Sequence, residues 1–191
     1  MVTVRDLIWA DFPGWVELYY SRFEEIQHNP DLGVFLRDRK PSLSEEAAVF
    51  TDVYRRVLGG TAVVCVAVLG DRLVGLASVH PKGNHVEDRH VGVLAIAVHP
   101  DHRQRGVGTA LMDRALEGCR GKFEIVQLTV LATNERALRL YRRCGFEASG
   151  TLPRSFKRGG RYFDEVVMWR AIGPAAEARA PGPPITRSET A

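Results

Sequence analysis

Cysteine is scarce. Cys65, Cys119 and Cys144 are the three in 191 residues, odd in number and far apart, which speaks against a disulfide framework and against a structural zinc site. Long apolar runs are missing as well. None approaches the ~20 residues that cross a bilayer, and Met1-Val2-Thr3-Val4-Arg5-Asp6 lacks the layout of a signal peptide. The expectation is a cytoplasmic protein with no membrane partner. No sign of charge dominates: 26 basic against 23 acidic residues leave +3, too slight for a nucleic-acid-binding surface. Much of that surplus sits in Arg103, Arg105, Arg139, Arg142 and Arg143, a grouping that suits one polyanionic ligand better than a stripe along DNA. Internal repeats are absent.

What is present suffices for one well-buried domain: 45% of the residues are hydrophobic. That domain is expected over residues 1–172. Residues 173–191, rich in Pro, Ala and Gly with hardly a large apolar side chain, are expected to form a disordered tail. Val2 to Arg5 reads as a strand. Asp11 then caps a helix whose apolar stripe is Phe12, Trp15, Val16, Tyr19, Phe23 and Ile26, and Asn29 to Gly33 breaks it. Ser42-Leu43-Ser44-Glu45 is a capping box opening a second helix closed by Gly59-Gly60. Thr61–Leu69 and Leu73–His80 form a hairpin, and a polar loop from Pro81 to Asp88 leads to a fourth strand, His90–Val98. Ile125–Val130 is a fifth strand, and Phe146–Leu152 with Arg161–Trp169 make a last hairpin.

The chemistry is concentrated from Val93 to Leu111. An apolar strand ends in a basic, glycine-containing turn, then a helix begins whose buried face is read as Ala110, Leu111, Ala115 and Leu116. The first N–H groups of that helix have no intrahelical partner, and the helix dipole adds about half a positive charge there. Gly106 and Gly108 let an anion approach the backbone, while Arg103 and Arg105 add full charges. A Walker A loop is excluded, because the second glycine and its Lys-Ser or Lys-Thr are missing: five residues beyond Gly106 stands Leu111. Leu111 is equally too large for the third glycine of a dinucleotide fingerprint. What remains is Arg103-x-x-Gly106-x-Gly108. By itself it also fits an ordinary strand–turn–helix connection.

Downstream, Asn134 can cap a helix on which Ala137, Leu140, Tyr141 and Cys144 share one face; Gly145 stops it and Phe146 starts the next strand. The glycine turn resembles the pyrophosphate-binding loop of the GCN5-related N-acetyltransferases, the GNAT family. The run Asn134-x-x-Ala137-x-x-Leu140-Tyr141-x-x-x-Gly145-Phe146 resembles that family's second hallmark. The likeness covers roughly Thr61 to Arg170; the first sixty residues fit loosely and the tail not at all.

The resemblance implies an α/β (α+β by some schemes) GNAT fold: a mixed, mostly antiparallel sheet of about seven strands flanked by helices, its fourth and fifth strands splayed to admit a pantetheine arm. It implies acetyl-CoA as cosubstrate and no metal. Arg103, Gln104, Arg105, Gly106, Val107, Gly108 and Thr109 then hold the diphosphate, while Ile96, Ala97 and Val98 meet the pantetheine. An N–H of Ala97 or Val98 becomes the oxyanion donor. Asn134, Ala137 and Tyr141 complete the cofactor site, with Tyr141 as general acid toward the departing sulfur; periodicity alone favours a core tyrosine there. The general base is less evident. Relatives acting on protein N-termini often carry glutamate in the fifth strand, where Thr129 stands here, so Glu87 and His90 are taken as candidate catalytic residues, with Asp88 beside them and His80 and His85 behind. A water chain is the alternative. His85 with His90, and His99 with His102, lack metal-ligand spacing, and Cys144 on a buried helix face reads as core and not as an acyl-carrying nucleophile.

Gly160-x-Tyr162-x-Asp164-Glu165-x-x-Met168 is similar to the closing segment of branches acting on free amino acids, polyamines or ribosomal-protein amines, and Asn29–Lys40 falls where relatives build the acceptor wall. The implied activity is acetyl transfer to a primary amine: a free amino acid, a polyamine, or a protein N-terminus or lysine. The rival is a catalytically silent acyl-CoA sensor of the same fold. No nucleic-acid partner is expected, and a homodimer is a candidate state because family members often pair.

Overall fold

The computed structural model describes residues 1–29, 37 and 39–173. Seven strands form one sheet: β1 (Val2–Asp6), β2 (Val63–Leu69), β3 (Arg72–Pro81), β4 (Val91–Val98), β5 (Ile125–Leu131), β6 (Glu147–Arg158) and β7 (Arg161–Ala171), in the order β1-β2-β3-β4-β5-β7-β6. Four helices accompany them: α1 (Phe12–His28), α2 (Leu43–Leu58), α3 (Val107–Cys119) and α4 (Glu135–Arg143). The expected order of elements is reproduced, although the last hairpin is longer than its apolar runs suggested. The tail beyond Gly173 and most of the 30–38 segment lie outside the described residues.

Every neighbouring pair is antiparallel except β4–β5. That parallel ladder is short: Val91, Gly92 and Val93 face Ile125, Val126 and Gln127. Past Val93 the two strands part, β4 continuing with β3 as far as Val98 and β5 with β7 as far as Leu131. Each strand keeps an outer neighbour, so the gap leaves one row of main-chain groups unpaired on each side without dissolving the sheet.

The sheet's two faces carry separate cores. On one, α3 and α4 pack Leu111, Met112, Ala115, Leu138 and Tyr141 against β3, β4 and β5. The buried face of α3 is Val107, Leu111, Met112, Ala115, Leu116 and Cys119; Ala110 is exposed, contrary to expectation, because the stripe runs from Val107 in steps of four. On the other face, α1 and α2 bury Leu18 and Phe50 over Val64, Val66 and Leu76. The capping box forms as read, with Ser42 N–H donating to Glu45 (2.8 Å) and Glu45 N–H to Ser42 Oγ (3.3 Å). Asp11 behaves differently. Its carboxylate takes Arg5 (2.7 and 2.8 Å) and Ile8 N–H (2.9 Å), closing the 3-10 turn before α1 instead of capping the helix.

Candidate active site

Main-chain polarity along β4 decides what the gap offers. His99 N–H donates to Val74 C=O (2.9 Å) and Lys82 N–H to Val91 C=O (2.8 Å), with an unbroken register between them. In such a ladder alternate residues hydrogen-bond the same neighbour, so the odd-numbered residues of β4 turn their N–H and C=O toward β3. The even ones face β5: His90 C=O accepts from Glu124 and Ile125 N–H (2.8 and 3.2 Å). Leu94, Ile96 and Val98 therefore present their main chain to the gap. Ala97, expected as an oxyanion donor, is ladder-bonded opposite Leu76; Ile96 and Val98 hold the donors that the gap can use.

A cavity of about 440 Å³ fills this gap and runs on to the glycine turn and the start of α4. The turn is a 3-10 segment (Pro100–His102) followed by two left-handed residues, Gln104 (φ 61°) and Gly106 (φ 80°). Gly106 needs no Cβ for that conformation and leads directly into α3, where Ala110 N–H is the first to bond back, to Gly106 C=O (3.0 Å). The N–H groups of Val107, Gly108 and Thr109 are left for a ligand. Gly106, Gly108, Thr109 and Gln104 line the cavity; the Val107 side chain is buried in the core and Arg105 is exposed outside the lining. Arg103 lines it too, but its guanidinium is ion-paired bidentately with Glu25 on α1, and its Nε donates to Val98 C=O (2.9 Å). It ties the turn to α1 and to the end of β4, and is not the free phosphate-binding cation expected.

The pair is largely withdrawn from water, its side chains 16% and 14% exposed. Glu25→Gln should remove the charge that compensates Arg103, at a cost of roughly 2 kcal/mol. A kilocalorie moves the melting temperature of a chain this size by about 2–4 °C, so Tm should drop by about 4–8 °C. Acetyl-CoA, whose diphosphate the resemblance puts at this turn, should return part of the loss. Thermal melts with and without the ligand check both halves, and equal Tm values for variant and parent would remove the pair's role.

Asn134 does cap α4, its Oδ1 accepting from Ala137 N–H (3.2 Å), and both residues line the cavity. Tyr141 lies one turn further along, 7% exposed in the core yet on the cavity wall. Burial pushes its phenol up to about 12, so it is a hydrogen-bond donor throughout the neutral range. Of the arginines grouped in the sequence as suited to a polyanion, Arg143 lines the cavity beside Arg103; Arg136 and Arg22 were not foreseen here. Together they give the lining four arginines and, among the described residues, no carboxylate. Burial pulls Arg136 below its ordinary value, with Arg103 adding to the effect. Thr129 is on the β5 wall, exposed.

Glu87 and His90 do not line this cavity. They precede β4 at the end where it is still paired to β5, and the cavity begins at Val93, where the pairing stops. Asp164 and Glu165 are also committed elsewhere. Arg154 N–H donates to Asp164 (2.8 Å) and Ser155 Oγ to Glu165 (2.7 Å), pinning the irregular stretch of β6 between Leu152 and Phe156. Among the described residues there is no cluster of three or more His, Cys, Asp or Glu suited to a metal, nor a helix long and apolar enough to span a membrane. Cys144 is 8% exposed and its thiol is raised by burial; Cys65 and Cys119, fully buried, rise to about 11 and about 12. At pH 8 Cys65 and Cys119 should therefore resist a thiol reagent until the protein is unfolded, when all three cysteines react. Prompt native labelling of either, resolved by peptide mass, would contradict their burial.

Four likenesses bear on this geometry. A model of the Acetyltransferase (GNAT) family matches residues 1–146. The L-amino acid N-acetyltransferase AaaT of Escherichia coli is 34% identical over 92 residues, 47% of this chain and 54% of that protein. Human N-alpha-acetyltransferase 30 is 31% identical over 143 residues, 73% of this chain but 38% of its own length. The chain thus spans about half, or less, of these curated relatives. In fold it is similar to a phosphinothricin acetyltransferase of the GNAT superfamily from Sinorhizobium meliloti, solved in complex with AcCoA, with TM-score 0.78, 23% identity, and 93% and 92% of the two chains covered. The chain belongs to the GNAT family of acetyltransferases.

Proposed function

We propose that this protein transfers an acetyl group from acetyl-CoA to a primary amine by direct attack within a ternary complex. The observation that carries this reading is the continuity of open main-chain donors: the N–H groups of Leu94, Ile96 and Val98 along the gap, then the first N–H groups of α3 behind Gly106, while the Val98 C=O is taken by Arg103 Nε. A diphosphate joined to a flexible amide-bearing arm matches that layout, with N–H groups and α3's dipole on the phosphates and strand-like hydrogen bonds on the amides. Arg136 and Arg143 in the lining add positive charge that suits a polyanion.

A thioester supplies an activated carbonyl; the residues of this chain supply its surroundings. Ile96 or Val98 N–H donates to the carbonyl oxygen as negative charge grows on it. The amine nitrogen bonds to the carbonyl carbon, the carbon–sulfur bond breaks, and the surplus proton leaves the nitrogen for water. Tyr141 Oη donates to the departing sulfur. A phenol at about 12 holds its proton more tightly than an ordinary thiol at about 8.5, so Tyr141 stabilises the thiolate by hydrogen bonding and is not consumed as a proton source.

Titration calorimetry with acetyl-CoA, followed by thiol release with a panel of amines, tests the proposal. Binding with turnover on at least one amine is the expected result, and no association at millimolar acetyl-CoA overturns it. The silent sensor is favoured by one observation, the lack of a carboxylate among the described residues of the cofactor cavity. Binding without turnover on any amine would establish the sensor instead.

A further inference from the structure

A second cavity, of about 180 Å³, lies on the α1/α2 face of the sheet and abuts the first along Ala95, Ile96, Ala97 and Arg22. Its floor is made of small side chains, Ser78 of β3 and Ala95 and Ala97 of β4; its roof is Trp15, Tyr19 and Arg22 of α1 with Glu46 of α2. A water occupies ~30 Å³, so there is room for roughly six waters or one small amino acid.

The two charged groups in the roof are placed where helix periodicity calls for apolar residues. Gly14, Leu18 and Arg22 follow one another at intervals of four on α1, and Glu46 stands four before Phe50, the most deeply buried side chain of α2. Glu46 is 2% exposed; its Oε2 accepts from Trp15 Nε1 (3.1 Å). Arg22 lies with its guanidinium 4.9 Å from the Tyr19 ring centre, and its buried Nε has no hydrogen-bond partner among the described residues. Burial pulls the guanidinium below its ordinary pKa, with Arg103 adding to the effect and Tyr19, Glu46 and Glu25 opposing it. An unpartnered buried donor costs stability in the free protein, and a ligand that bonds to it recovers that cost.

Resting on the acetyltransferase reading, we infer that this cavity is a specificity site for a small free α-amino acid, with Arg22 taking its carboxylate and Glu46 its ammonium group. A zwitterion presents its opposite charges a few ångströms apart, and Arg22 and Glu46 facing one small cavity, with Arg37 a second cation on its lining, are complementary to it. The rival amines fare worse. A peptide N-terminus has a neutral amide where the carboxylate should be, leaving Arg22 unpaired. A polyamine sets a second cation against Arg22 and against Arg37, which also lines the cavity. A site built around a buried polar group rejects a ligand lacking its counterpart far more strongly than an apolar pocket rejects a missing methylene.

The test is thiol release from acetyl-CoA with small L-amino acids, their α-amides, the corresponding decarboxylated amines, and a tripeptide. In the parent protein kcat/KM for an acid should exceed that for its amide by about 100-fold or more. Arg22→Gln should raise KM for the acids by about 100-fold and leave the amides nearly unchanged, collapsing the ratio. Glu46→Gln keeps an acceptor for Trp15 Nε1 and should raise KM for acids and amides alike, since both carry the ammonium group. Should Arg22→Gln fail to fold, the comparison of acid, amide and decarboxylated amine in the parent decides alone. Equal use of acid and amide, preference for the tripeptide, or an unchanged ratio in Arg22→Gln overturns the amino-acid assignment, while acetyl-CoA turnover on those substrates leaves the acetyltransferase standing. No calorimetric signal for acetyl-CoA and no thiol release would remove both.

Discussion

Tyr141→Phe should lower kcat for acetyl transfer by about 10²- to 10³-fold while leaving KM for acetyl-CoA and Tm almost untouched. The separation of effects follows from placement. The ring belongs to the core shared by α3, α4 and the sheet and packs 6.1 Å from the Phe146 ring, contacts that phenylalanine retains. Only the hydroxyl is lost, and the interaction assigned to it develops as the sulfur departs, so the loss falls on the transition state and not on binding. Because burial raises the phenol to about 12, the parent should show no alkaline fall in kcat from Tyr141 between neutrality and about pH 10. Steady-state kinetics across that range checks both statements. A variant that keeps kcat would reduce Tyr141 to a core residue.

Gly106→Val should raise KM for acetyl-CoA by about tenfold or more and lower Tm by about 2–8 °C. The two effects have different causes. At φ 80° a β-branched side chain is strained, at about 1–2 kcal/mol, which at about 2–4 °C per kilocalorie accounts for the melting shift. The KM effect is steric: a Cβ built on Gly106 meets no protein atom within 4 Å, so the added side chain projects into the open space that the diphosphate is assigned. Gly106→Asn separates them, since asparagine tolerates left-handed backbone yet still intrudes. It should keep most of the Tm and still raise KM. An unchanged KM in both variants would take the turn out of the binding site.

Elements and anchors were legible in the sequence where a local rule governs them. The capping box at Ser42–Glu45, the Asn134 cap, the glycine at the mouth of α3 and the strand pattern all depend on residues within a few positions of one another. The misreadings share another cause. Which β4 residues offer their N–H groups to the gap depends on which edge of the strand β3 occupies; of the two expected donors this leaves Val98 and turns Ala97 away, with Ile96 in its place. Glu87 and His90 are near the gap in sequence but at the closed end of the β4–β5 ladder in space. Arg103 carries the expected charge, yet Glu25, distant in sequence, claims it.

A signal for the missed residues was present: charges standing in core phase on a helix, Arg22 beyond Leu18 and Glu46 before Phe50. Reading the apolar stripe alone passed over them, because periodicity counts hydrophobic positions and treats a charge as solvent-facing. Short-range patterning thus specified where helices and strands begin, and placed the glycine turn before α3 and Tyr141 on the buried face of α4. Strand pairing specified which main-chain groups remain free, and docking α1 and α2 onto the sheet specified which arginine is tethered and which is buried with an Nε unpartnered among the described residues. The division is physical: caps and turns are closed by hydrogen bonds within a few residues, whereas the partner of a buried charge is whatever distant segment the fold brings against it.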